Sequence, residues 1–217
     1  MRVARIVAVL FLLALVLVGC GSTAAPKTTA TVDDTPKLDS TDKRILAGFR
    51  NVPAGFDLLT QQELRDGKRT LPPGVIATFT RTEGCCIITH GGPLGFPPSV
   101  SVRQYATKQS AAQYSKERFP HLKEVPNYEP TTYRKSFVTV AGRRWIREQY
   151  ETAPSNEDGI PVLYVVTYTS SERGTLRSFD WVMAVLNRDL LEPKLMKMFS
   201  TVAWDKLPLR NETPTAG

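Results

Sequence analysis

Cys85 and Cys86 are adjacent, and His90 follows four residues later; in this 217-residue chain they form the stretch best equipped for chemistry. Thiolates with an imidazole suit copper(I) or zinc, and a thiol beside a histidine can act as a nucleophile. Neighbouring Cα atoms stand about 3.8 Å apart across a trans peptide, closer than the roughly 4.4–6.8 Å that a disulfide prefers. A Cys85–Cys86 disulfide is therefore strained and comparatively easy to reduce, and it would stiffen a turn or present a rigid apolar surface. The other reading is two thiols packed as small apolar side chains. Adjacent cysteines grip one ion awkwardly, no C-x-x-C exists and His121 is the only other histidine, so no metal site is expected.

A second group is cationic. Arg134, Lys135, Arg143, Arg144 and Arg147 lie close in sequence and come close in space if residues 136–152 form a hairpin. With His90 they are the candidate binding residues, suited to lipid phosphates or an acidic partner through charge-assisted hydrogen bonds. The alternative is solvated strand positions or ion pairs with Glu148 and Glu151, with Trp145 and Tyr150 in the core. No G-x-S-x-G, H-E-x-x-H or G-x-x-x-x-G-K-[ST] occurs, no serine stands out beside the two histidines, and the carboxylates are scattered. No catalytic residue and no cofactor is expected, and the chain reads as a non-enzyme.

The third cysteine belongs to a different pattern. Arg2 and Arg5 precede a 13-residue apolar run, Ile6 to Val18, which ends in Leu17-Val18-Gly19-Cys20. Cations, a hydrophobic stretch and small residues before a cut form a secretory signal. Thirteen residues fall short of the roughly 20 that span a bilayer. The Leu-Val-Gly-Cys segment resembles the lipobox of bacterial lipoproteins, a likeness confined to residues 1 to about 22. The resemblance implies that Cys20 is acylated, palmitate included, and becomes the first mature residue. Each buried methylene contributes about 0.8 kcal/mol, so two or three chains hold a protein on a membrane durably. Cleavage after Gly19 leaves 198 residues and removes two arginines, which lowers the formal charge from +7 to +5. That modest excess favours solubility, or contact with anionic lipid or acidic cell-wall polymers. Export and the lack of any run of five Lys/Arg exclude nucleic acid as a partner.

Residues 21–43 are rich in Thr, Ala, Pro, Asp and Lys and nearly free of large apolar side chains, which reads as a flexible tether. Thr60 to Gly67 has the signature of a short helix, with Thr60 as N-cap, Glu63 in the capping-box position and Gly67 at the end. Val75, Ala77 and Phe79 alternate with Ile76, Thr78 and Thr80 as in a strand, Cys85–Thr89 is a second short candidate, and Gly91–Pro98 is a loop. Val100 and Val102 mark a half-buried strand. Lys108–Phe119 reads as a helix capped by Thr107, with Ala111, Ala112, Ser115 and Phe119 near one face and Pro120 as its stop. Ser136–Ala141 and Arg143–Thr152 flank Gly142 as a hairpin. Val162–Thr169 is apolar or β-branched at nearly every position, so it is central and covered on both faces. Leu176–Leu186 returns, and a last helix starts near Pro193 with Leu195, Met198 and Val202 on its apolar stripe.

This order defines an α+β fold, an antiparallel β-sheet covered by a few helices. From Val100 onward it resembles the PsbP-like fold through Val100–Tyr105, Lys108–Phe119, the Phe137–Arg143 hairpin, Tyr164–Thr169, Trp181–Leu186 and Pro193–Val202. The resemblance covers about half the chain and implies a PsbP-like sandwich, with no catalytic residues to carry over. The expected organisation is signal peptide 1–19, lipidated cysteine and tether 20–43, one extracytoplasmic domain 44–206 and a loose tail 207–217. The function expected is a non-catalytic binding or scaffold module held at the extracytoplasmic face of a cell membrane by the lipid on Cys20. Its partner would be an envelope protein, an anionic lipid or a cell-wall polymer. Two alternatives are a small-molecule or lipid carrier with a cleft near Cys85-Cys86 and a thiol- or metal-dependent enzyme there.

Overall fold

Three of the four described helices begin the same way, with a side chain that closes on its own first turn. Asp39 and Asp42 form a capping box before α1 (Ser40–Ala47), Thr60 and Glu63 before α2 (Gln61–Asp66), and Ser110 and Gln113 before α3 (Ala111–Leu122). The last, α4 (Arg188–Ser200), has no side-chain cap and follows a single 3-10 turn, Val185–Asn187. These features come from a computed structural model that describes residues 38–68, 70–72, 74–81, 97–123, 127–154 and 162–211. Cys20, Cys85, Cys86 and His90 lie outside the described residues, as do residues 21–37, the Cys85–Thr89 strand candidate and most of the Gly91–Pro98 loop.

Among the described residues, seven strands form one antiparallel sheet: β1 (Phe56–Leu58), β2 (Val75–Arg81), β3 (Ser99–Ala106), β4 (Arg134–Val140), β5 (Arg143–Glu151), β6 (Leu163–Glu172) and β7 (Thr175–Ala184). Their order across the sheet is β1-β2-β3-β7-β6-β5-β4. The expected α+β class is what the chain adopts, and the elements expected from Val100 onward occur in that order. Both hairpins in the second half turn on two left-handed residues, Ala141-Gly142 between β4 and β5 and Arg173-Gly174 between β6 and β7. Such paired positive φ values match the twist of the strands they join.

The period of two sorts each strand between two helical layers. Trp145, Tyr164, Val166, Tyr168, Phe179, Trp181 and Met183 pack with Leu191, Leu195, Met198 and Phe199 of α4 and with Ile45 of α1. The opposite face carries Tyr105, Ile146 and Leu176 against Ala111 and Tyr114 of α3, and Tyr150 and Val165 against Leu122. β6 is buried over most of its length, as its composition implied.

Several local expectations shift. Ile76, placed by alternation opposite Ala77, is 1% exposed and belongs to the same core cluster. The register slips between Val75 and Ala77, and a bulge turns successive residues to one side. The helix expected at Lys108–Phe119 starts at Ala111 and is capped by Ser110 rather than Thr107, whose hydroxyl accepts from the Gln109 amide instead. Pro120 lies inside this helix, two residues before its end, because Leu122 still has a buried seat against Tyr150 and Val165. The final helix begins at Arg188, so Pro193 sits within it and Leu191 joins the apolar stripe.

Two described segments at the limits of the expected domain are structured. α1 starts within the stretch read as tether, where Asp42 is buried and accepts from the Gln61 amide. Leu207, read as loose tail, is buried, and Arg210 exchanges backbone hydrogen bonds with Gln104 and Ala106 on β3. Polar composition hid this anchorage, because one buried side chain, Leu207, and the backbone of Arg210 hold the segment.

Candidate functional site

The five hairpin cations all lie on β4 and β5, yet alternation distributes them over the two faces. Lys135 and Arg144 share the α3 side with Ile146, while Arg143 and Arg147 share the α4 side with Trp145. Each is engaged. Arg134 donates to the carbonyls of Thr131 and Tyr133 at 2.7 and 2.9 Å. Lys135 donates to Ser115 Oγ at 2.6 Å and stands 3.9 Å from Glu148. Arg143 pairs with Glu172 at 3.0 Å, and Arg144 stacks over Phe137 with 4.2 Å to the ring centre. They do not form one basic patch.

Arg147 does line a groove, of about 540 Å³, between α4 and the β4–β5 edge of the sheet. Its Nη2 donates to Glu192 Oε1 and to the Tyr164 hydroxyl, both at 2.9 Å, and its Nε donates to the Tyr168 hydroxyl at 2.9 Å. Arg188, one turn before Glu192, donates to it at 3.2 Å, approaches Glu151 at 3.6 Å and lies over the Tyr164 ring at 4.4 Å. Val138, Val140, Pro193 and Met196 form the apolar wall. Burial works against the charge of Arg147, but Tyr168, Tyr164 and Glu192 outweigh it, so the guanidinium stays protonated. Burial pushes the Tyr164 phenol up to about 12 and raises Tyr168 as well. At neutral pH both phenols are therefore hydrogen-bond donors rather than bases. The groove combines apolar surface with cations already matched inside the protein, which suits holding a ligand more than transforming one.

A second polar group is buried beneath α3. Glu148 Oε1 accepts from Ser115 Oγ at 2.8 Å and from the Tyr133 hydroxyl at 2.6 Å, while its Oε2 and the neighbouring Thr167 hydroxyl have no hydrogen-bond partner among the described residues. Asp180 accepts from Arg103 and from Ser178, and Arg118 of α3 stands 3.6 Å away. Sequence reasoning missed Glu148 as a buried group, although the signal was present: it alternates with Ile146 and Tyr150 on a covered face. Arg188 and Glu192 were missed because the helix was expected to begin only at Pro193.

Trp145 and Tyr150 are core residues, and His121 lies in the last turn of α3. Among the described residues, no group of three or more His, Cys, Asp or Glu is placed to hold a metal ion. Among the same residues, no helix is long and apolar enough to cross a membrane.

No family model matches the chain, and no curated protein does. Solved structures do. LpqN of Mycobacterium tuberculosis, described as involved in cell envelope biogenesis, is 12% identical with a TM-score of 0.44 over 68% of this chain and 76% of that one. The cyanobacterial PsbP protein of Synechocystis, CyanoP, is 14% identical with a TM-score of 0.40 over 83% and 98%. PA94 of Pseudomonas aeruginosa, of unknown function, is 13% identical with a TM-score of 0.39 over 57% and 78%. At such identities and scores, what this chain binds has to be read from its own residues.

Proposed function

We propose that this protein is a lipid-anchored module of the bacterial cell envelope that binds rather than transforms its ligand, through the groove beside Arg147. The groove's internal charge balance carries the binding half of this reading. Arg147 and Arg188 meet Glu192 and Glu151, so the free recognition surface is the apolar wall of Val138, Val140 and Met196 with tyrosine hydroxyls at its edge. Such a lining accommodates an uncharged or weakly polar moiety. The Leu-Val-Gly-Cys20 segment behind two arginines and an apolar run supports the anchor. An envelope protein, a lipid or a wall polymer would supply that moiety.

Two measurements test the halves separately. Cells expressing the full chain are labelled with an alkynyl palmitate and fractionated; label on the protein and its loss from membranes on Cys20→Ser are expected. An unlabelled protein that stays in the membrane fraction after Cys20→Ser rejects the anchor. The groove is titrated with the uncharged dye Nile red, whose emission should rise saturably and lose most of that rise in Met196→Glu. Equal binding by Met196→Glu with an unchanged fold rejects the groove.

A further inference from the structure

Where the C-terminal end of α4 meets the β4–β5 turn, a separate cleft of about 270 Å³ opens, lined by Arg143, Arg177, Trp145, Trp204, Val140 and the exposed Asp205, among others. It adjoins the Arg147 groove at Val140, which lines both. Its electrostatics are the reverse of that groove. Arg177 Nε donates to Gln104 Oε1 at 3.0 Å, and its guanidinium lies 6.0 Å from the centre of the Trp204 ring. Its Nη1 is buried and has no hydrogen-bond partner among the described residues. Burial first, and then the like charge of Arg143, disfavour the protonated state of Arg177, and Glu172 offsets this only in part. That carboxylate is already paired with Arg143. Arg103, Arg147 and Arg188, by contrast, each hold Asp180 or Glu192 directly. A buried charged donor with no acceptor is costly to maintain, and an unseen ion or ligand is one of the few physical reasons for it.

We propose that this cleft is an anion-binding site: a carboxylate or phosphate group seats between Arg177 and Arg143, with the ligand's apolar body against Trp204 and Val140. Guanidinium groups offer paired donors that match both oxyanions, and a second cation within reach strengthens the hold. The aromatic wall selects a ligand larger than a bare ion. This site is independent of the anchor and of the Arg147 groove, and either reading can fail without the other.

The full chain is titrated calorimetrically with 2-naphthoate, 2-naphthyl phosphate and the neutral 2-naphthamide. At least one anion should bind one-to-one and about tenfold or more tighter than the amide, since charge-assisted bonds to a guanidinium are the difference. The better of the two anions identifies the ligand's group. Arg177→Met should weaken that anion by about tenfold or more, and Asp205→Asn, which removes a carboxylate from the cleft, should tighten it. Should Arg177→Met not fold, Arg143→Gln takes its place, with a loss of about threefold or more expected. Three ligands of equal affinity, no binding at all, or undiminished anion affinity in a natively folded Arg177→Met or Arg143→Gln protein would overturn the proposal.

Discussion

Glu148 is 3% exposed and gathers a serine, a tyrosine and a lysine around one oxygen, which makes it the most demanding single residue of the α3 side. Removing a buried acceptor strands its donors, whereas an amide of the same shape keeps most of the hydrogen bonds. Glu148→Ala should therefore cost about 2–4 kcal/mol in urea denaturation, and Glu148→Gln less than half as much. Equal losses would mean that the carboxylate charge, not the hydrogen bonding, matters there. Tyr164 makes a prediction about pH. Its phenol is raised to about 12, by burial first, with Arg147 opposing and Glu192 adding. A group raised above its unfolded value of about 10 stabilises the fold fully below that pH, and the contribution disappears as pH climbs towards 12. The stability difference between wild type and Tyr164→Phe should accordingly fall by about 1–2 kcal/mol between pH 9 and pH 12, solvent at the groove screening part of the effect, read from urea curves at each pH.

Among the elements, the turns carry the sharpest contrast. Gly142 and Gly74 both have positive φ, 74° and 70°. A Cβ on Gly142 would meet nothing within 4 Å, while one on Gly74 would overlap the buried Tyr105 ring. Gly142→Ala thus isolates backbone strain and should cost about 1–2 kcal/mol. Gly74→Ala adds a clash with a ring that has nowhere to go and should cost about 3–5 kcal/mol, both by thermal or urea unfolding. The helices show how far local signals reach. Thr60, Glu63 and Gly67 bound α2 where the sequence placed them, because a capping box and a glycine end are satisfied within one turn. Pro120 and Pro193 misled, since a proline costs one helix hydrogen bond, and the buried seats of Leu122, Leu191 and Leu195 outweigh that cost.

On the scale of the whole molecule, the chain closes on itself at its end. Leu207 is 3% exposed, its Cδ2 reaches the space where a Cβ on Gly48 would stand, and the Arg210 backbone pairs alongside the end of β3. The described residues fall within one compact unit, Pro36–Gly217, in which α1, the segment Trp204–Leu207 and α4 share a core. Leu207→Ala should lower the unfolding free energy by about 2–4 kcal/mol in one cooperative transition. A variant indistinguishable from wild type would restore the reading of residues 207–217 as a loose tail. The same architecture explains why the hairpin cations do not act together: a sheet covered on both sides sends neighbouring arginines to opposite layers, where each finds its own partner.

Composition and period alone determined that this is an antiparallel α+β chain with β6 covered on both faces, because alternation, turn residues and capping boxes act over a few neighbouring residues. The hairpin around Gly142 was legible for the same reason. The tertiary structure alone decided which cations are matched and which are not. Arg147 finds Glu192 from 45 residues away, and Arg177 lies beside Arg143 across the sheet, and no short-range pattern encodes such distances. Electrostatic balance is a property of three-dimensional neighbours, so the groove and the cleft appeared only once the strands had been laid side by side.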